Sequence, residues 1–194
     1  LAETYRMPAM ILADGMLGQM MEPVVFPETA PAEHDKSWAL TGTKNERKPN
    51  IINSLYLTPN ALEDLVRARY ERYKIVEEKE QRAEEYRTED ADVIVVAYGA
   101  SSRVARSAVN KAREAGKKVG LIRPITLWPF PKDAIKRAAD HAKELLVVEM
   151  SMGQMVDDVR LAAECRVPVH FYGRTGGVIP TPKEILGEID KLLK

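Results

Sequence analysis

A single cysteine, Cys165, stands in 194 residues. That excludes an intrachain disulfide and any zinc or iron–sulfur site built on four cysteines. Three scattered histidines, His34, His141 and His170, give no metal-ligand spacing. Neither charge is in excess: 29 basic and 29 acidic residues give a formal net charge of zero. The chain therefore lacks the surplus cations that a nucleic-acid binder uses to displace counterions from phosphates. No apolar run approaches the length of a membrane span, no secretory leader is visible, and so few thiols suit a reducing cytoplasm. The chain opens on Leu1 rather than Met, with a strand-like run almost at once, and reads as a piece of something longer.

What the chain does have is one short phrase written twice. Met10-Ile11-Leu12-Ala13-Asp14 leads to Gly18-Gln19-Met20, and Leu146-Val147-Val148-Glu149 leads to Gly153-Gln154-Met155. Each is an apolar run ending in a carboxylate, a turn, and the start of a helix. In open α/β sheets the crevice beyond the carboxyl ends of the strands is where ligands and partner surfaces are placed.

Three zones differ in texture. The first holds a strand-like run over 7–13 and a Met-rich turn of helix over 16–21, too little to form a sheet alone. Residues 22–53 carry Pro23, Pro27, Pro31 and Pro49 and little periodicity, which suits a linker or wrapping arm. A helix follows, with Thr58 as cap, Pro59 at its first position, and Leu62, Leu65, Val66, Tyr70, Tyr73 and Val76 on one face; beyond Glu77 it fades into a solvated, charge-paired extension. From about Asp90 the pattern alternates. Continuous apolar strands at 93–97, 118–122, 145–149 and 167–172 are separated by helices at 101–116, 133–142 and 153–164. Thr181-Pro182-Lys183-Glu184 opens a last helix with a capping box. Unbroken apolar strands alternating with helices predict a parallel sheet covered on both faces.

Several groups converge on the carboxyl edge of that sheet, and each has a plain and a functional reading. Tyr98-Gly99-Ala100-Ser101-Ser102 is a strand–turn–helix junction in which Ser101 or Ser102 caps the helix, or in which free amides bind an anion. It lacks the glycine pattern of a dinucleotide site, the lysine of a P-loop and the frame of a hydrolase serine. Arg123 could hold a carboxylate or phosphate bidentately, or pair with an acid such as Glu149. Asp14 and Glu149 could move protons, or could sit at helix starts because the dipole favours them there. Gly176 and Gly177 offer backbone amides or a tight turn. The methionines 16, 20, 21, 150, 152 and 155 form either an adaptable contact surface or core filler.

The stretches Gly120-Leu121-Ile122-Arg123-Pro124-Ile125-Thr126-Leu127-Trp128-Pro129-Phe130-Pro131 and Glu149-Met150-Ser151-Met152-Gly153-Gln154-Met155 carry a resemblance. So do Asp14-Gly15 with Leu17-Gly18-Gln19-Met20-Met21-Glu22-Pro23, and Lys36-Ser37-Trp38 with Thr41-Gly42. Together they resemble the alpha subunit of 2-oxoacid:ferredoxin oxidoreductases of the 2-oxoisovalerate or 2-oxoglutarate type. The resemblance implies a three-layer α/β/α fold with a mainly parallel sheet, like the transketolase C-terminal domain, over 90–194. It implies a connector with one long helix over 24–89 and the end of a pyrimidine-binding domain over 1–23.

By the same resemblance the whole enzyme would use thiamine diphosphate, magnesium, iron–sulfur clusters, coenzyme A and ferredoxin, with the cofactors mainly on partner beta and gamma or delta subunits. Ala13-Asp14-Gly15 with Asn45 mimics part of the family's diphosphate–magnesium motif but lacks its first glycine. This chain is expected to bind no cofactor or metal alone, to supply no catalytic residue and to be inactive by itself. It would serve assembly through edge residues Asp14, Gly18, Gln19, Ser101, Ser102, Arg123, Glu149, Gly153, Gln154, Gly176 and Gly177. Neither nucleic acid nor a membrane is expected as partner, and a second copy of the chain is. The competing readings are a free-standing flavodoxin-like nucleotide- or flavin-binding domain and a pure protein-interaction module.

Overall fold

The computed structural model describes residues 1–29 and 33–193, so Pro31 of the irregular zone lies outside the described residues. Backbone proximity divides the chain into two units: Leu1–Leu12 with Met21–Val76, and Ala13–Met20 with Glu77–Lys194.

The first unit is mostly irregular. It opens with a one-turn helix, α1 (Ala2–Tyr5), and ends in a long helix, α2 (Pro59–Lys79), whose last turn belongs to the second unit. Residues 7–13 belong to no strand or sheet, against the expected strand. A strand is held by ladder hydrogen bonds to a neighbour, and none of the described residues provides one. Ile11 is 97% exposed, with Met10 and Leu12 nearly as bare. Proline at 59 begins α2 as expected, yet of its apolar stripe only Val76 is buried. Local order in the arm comes from side chains. Asn50 donates to the carbonyls of Ser37 and Ala39 at 2.7 and 2.9 Å, and the Arg6 guanidinium lies 4.6 Å from the Trp38 ring centre.

The second unit is a five-stranded sheet in the order β1-β3-β2-β4-β5. Its strands are β1 (Ala83–Tyr86), β2 (Val93–Val96), β3 (Val119–Pro124), β4 (Glu144–Glu149) and β5 (Val169–Gly173). β2, β3, β4 and β5 run parallel, and β1 pairs antiparallel with β3 at the edge. Four helices cover it: α3 (Gly99–Glu114), α4 (Lys132–Ala139), α5 (Met155–Ala163) and α6 (Pro182–Leu192).

Because side chains alternate across a strand, each strand feeds two cores. Ile94, Val96, Ile122, Leu145 and Val147 pack on α4 and α5. Val95, Leu121, Leu146 and Val148 pack on the other face against Ala105, Ala108, Val109 and Ala112 of α3 and Ile185 and Ile189 of α6. Each fully buried Val, Leu or Ile contributes about 1.5–3 kcal/mol. The expected three-layer α/β/α fold with a mainly parallel sheet is thus the observed one.

The helix ends follow local chemistry. Gly116, at φ +77°, stops α3 in the left-handed conformation that glycine takes without strain. At α6, Thr181 accepts from the Glu184 N–H while the Glu184 side chain accepts from Thr181 N–H, with Pro182 at the first position, as the capping box requires. Two expectations fail. The charged extension after α2 ends at Lys79, and the chain then forms β1 instead of continuing as helix. The cap of α3 is Tyr98, with no side-chain hydrogen bond, so neither Ser101 nor Ser102 caps it. The turn after Tyr98 is tight enough that helix begins at Gly99, which buries both serines inside the first turn.

Candidate functional site

Sheet parity decides what meets at the carboxyl edge. Glu149 ends β4 in step with Leu145 and Val147, so its side chain lies on the α4/α5 face. It is 2% exposed, and four donors surround its carboxylate. Oε2 accepts from Met155 N–H at 2.9 Å and from Ser151 Oγ at 3.1 Å; Oε1 accepts from Val156 N–H at 2.9 Å; Gln154 N–H lies 3.2 Å from Oε2. The carboxylate has taken the place of a cap for α5, satisfying amides that a helix start leaves unpaired. Its lone pairs are taken up by these donors, which is the helix-start placement that one of its two sequence readings describes.

Gly153 makes that loop fit. Its φ is +110°, its N–H donates to Ser151 Oγ at 3.0 Å, and an added Cβ would come within 3.2 Å of Val156 Cγ1. Gly173, opposite Glu149 in the ladder, leaves room for the Phe171 ring and the Ser151 carbonyl.

Asp14 repeats the device in the other copy of the phrase. Its Oδ1 accepts from Leu17 N–H at 2.8 Å, starting a 3-10 turn over Leu17–Gln19. Gly18 N–H donates to the Asp14 carbonyl at 3.1 Å, and Gln19 N–H to that of Met16 at 3.1 Å. Asp14 Oδ2 lies 3.4 Å from Ala100 N, in the first turn of α3. The anion position suspected at that helix start is therefore filled by the protein's own carboxylate. Tyr98 stands near both acids, and burial first, then the charges of Glu149 and Asp14, push its hydroxyl pKa up.

Arg123 does not meet Glu149. It follows Val119 and Leu121 onto the α3/α6 face, and β2 separates its strand from β4. Its Nε donates to Glu84 Oε2 at 2.9 Å, directly across the β1–β3 ladder, and Arg106 of α3 pairs with the other oxygen. These two guanidiniums, Arg106 first, hold the Glu84 carboxyl below its ordinary value. Glu84 escaped the sequence reading because β1 did; parity along β3 is the signal that would have turned Arg123 away from Glu149.

The remaining residues divide simply. Ser102 Oγ donates to the Gly99 carbonyl at 2.7 Å. Gly176 and Gly177, at φ +64° and +82°, form an exposed turn closed by Val178 N–H to the Thr175 carbonyl. Gln154 is the residue before α5. Met155 is core, whereas Met16, Met20 and Met152 are exposed along the same edge. Asn45 belongs to the other unit, in a turn closed by Glu46 N–H to the Thr43 carbonyl. Among the described residues, no group of three His, Cys, Asp or Glu side chains could hold a metal ion, and no helix is long and apolar enough to cross a membrane.

A family model, pyruvate:ferredoxin oxidoreductase core domain II, matches residues 91–185. The chain is 47% identical over 194 residues to the ketoisovalerate oxidoreductase subunit VorB of Methanothermobacter marburgensis, a match covering 99% of this chain and 54% of that protein. To the 2-oxoglutarate synthase subunit KorA of the same organism it is 31% identical over 220 residues, covering 97% and 57% respectively. A solved 2-oxoglutarate:ferredoxin oxidoreductase from Magnetococcus marinus, with 2-oxoglutarate, coenzyme A and succinyl-CoA bound, aligns with a TM-score of 0.63 and 24% identity over 89% of this chain and 29% of that one. An inactive beta4 tetramer of a split-gene transketolase aligns at 0.50 and 18% identity over 58% and 41%. These two structures speak to the fold alone, which they place among oxidoreductase and transketolase-like domains. The chain spans about half the length of the curated relatives it matches. By its sequence, along nearly its whole length, the chain belongs to the family of 2-oxoacid:ferredoxin oxidoreductase subunits.

Proposed function

We propose that this chain is part of the alpha subunit of a thiamine-diphosphate-dependent 2-oxoacid:ferredoxin oxidoreductase. That enzyme converts a 2-oxoacid and coenzyme A to acyl-CoA and carbon dioxide, passing the electron pair to ferredoxin. The observation that carries the reading is the 47% identity to VorB along 99% of the chain. The lower identity to KorA, 31%, favours a branched-chain oxoacid such as 2-oxoisovalerate over 2-oxoglutarate.

Within that enzyme this part serves domain and subunit assembly. Two observations support a role apart from the cofactors: one exposed cysteine cannot build a cluster, and the amides at both acid-led turns face the protein's own carboxylates. What the edge offers is turns and methionines. In the same reading 90–194 is the transketolase C-terminal-like domain, 24–89 a connector and 1–23 the end of a pyrimidine-binding domain. The bare Met10, Ile11 and Leu12 support this, since so apolar a surface marks a contact with other protein. Beta and gamma or delta subunits of the same enzyme would be the partners.

The test is reduction of a viologen dye with coenzyme A and thiamine diphosphate supplied, across a panel of 2-oxoacids. Turnover is expected only when the chain is assembled in its full-length subunit with its partners, fastest with 2-oxoisovalerate. A correctly assembled mixture without 2-oxoacid-dependent reduction would sink the proposal.

A further inference from the structure

We infer that Asp14 is a latch that straps residues 13–20 onto the carboxyl edge of the sheet and plugs the start of α3. Three observations meet at this one side chain, all within the same compact unit. Oδ1 receives the Leu17 N–H at 2.8 Å and so folds the strap on itself. Oδ2 reaches 3.4 Å from Ala100 N, far along the chain. Gly99, at φ +57°, presents a bare face to it: an added Cβ would lie 3.3 Å from Oδ2 and 3.9 Å from Leu17 Cδ1.

A carboxylate is the right group for this task. The first amides of a helix have no internal partner and carry the positive end of its dipole. At α5 the protein closes that end from within the same loop, through Glu149. At α3 the cap, Tyr98, contributes no side-chain hydrogen bond, and the acid comes from a distant segment instead. The two copies of the sequence phrase therefore do one job at neighbouring turns, the first by a strap rather than a loop. With both turns closed, the edge presents Met16 and Met20 of the strap outward, at 37% and 41% exposure.

Hydrogen–deuterium exchange on the intact protein tests this. Asn retains one acceptor oxygen and is itself a good cap, so Asp14→Asn should leave Leu17 protected while the first turn of α3 exchanges faster. Asp14→Ala should speed exchange in both places by about tenfold or more, the loss of roughly 1.4 kcal/mol of local protection. In both variants, peptides from β4 and α5 should keep wild-type protection. Unchanged exchange around Ala100 in Asp14→Ala, or a uniform rise that includes β4, would overturn the latch.

Discussion

Glu149 and Val156 are joined by a 2.9 Å hydrogen bond from the backbone N–H of one to the buried carboxylate of the other, seven residues back along the chain. That bond, with those from Met155, Gln154 and Ser151, turns an acid that looks catalytic in sequence into the cornerstone of a strand-to-helix turn.

The first prediction concerns its removal. Glu149→Ala strands several buried amides and should cost about 3 kcal/mol; Glu149→Gln, which points an amide NH2 at a backbone donor, should cost about 2 kcal/mol. Urea unfolding measures both. A loss of activity with no loss of stability would restore the catalytic reading.

The second concerns acid. Two arginines depress the folded-state pKa of Glu84, so the stabilisation from this cluster is fully present above the unfolded carboxyl value and is lost as pH falls through the folded one. Glu84→Gln should thus lower stability modestly at neutral pH and flatten the acid limb below about pH 4.3, so that variant and wild type converge in acid. The groups are about 40% exposed, so the Glu84–Arg123 coupling in a double-mutant cycle should be only about 0.5 kcal/mol. A coupling several times larger would mean that the pair is shielded from water in the assembled enzyme.

A third prediction follows from Gly120 on β3. A Cβ there would stand 2.7 Å from the Arg87 carbonyl and 3.0 Å from Thr88 Cα, both backbone, so the strand itself would have to move. Gly120→Ala should destabilise by about 2 kcal/mol, read as a lowered thermal midpoint. An unchanged midpoint would show that the 87–88 loop yields without cost.

What was legible in the sequence is what depends on neighbours along the chain. The unbroken apolar runs of β2 and β4, the glycine stop after α3 and the Thr181–Glu184 box are local statements, and each is met. β1 was not legible. Ala83-Glu84-Glu85-Tyr86 carries no β-branched residue, and its glutamates look solvated until β3 brings Arg123 opposite Glu84 and α4 brings Arg137 to Glu85. The run over 7–13 misled in the opposite sense: its composition suits a strand, but a strand exists only in a sheet. At the site, the identity of Asp14 and Glu149 as the leading acids was readable. Their partners are backbone amides, which no side-chain pattern announces.

The most direct test of the assembly role is turnover of the assembled oxidoreductase carrying Arg123→Ala, measured as 2-oxoisovalerate-dependent viologen reduction per assembled complex. Arg123 serves β1 and not a reacting atom, so kcat should stay within about twofold of wild type. A complex that assembles fully and yet turns over about tenfold more slowly would place this edge in the chemistry and contradict the account.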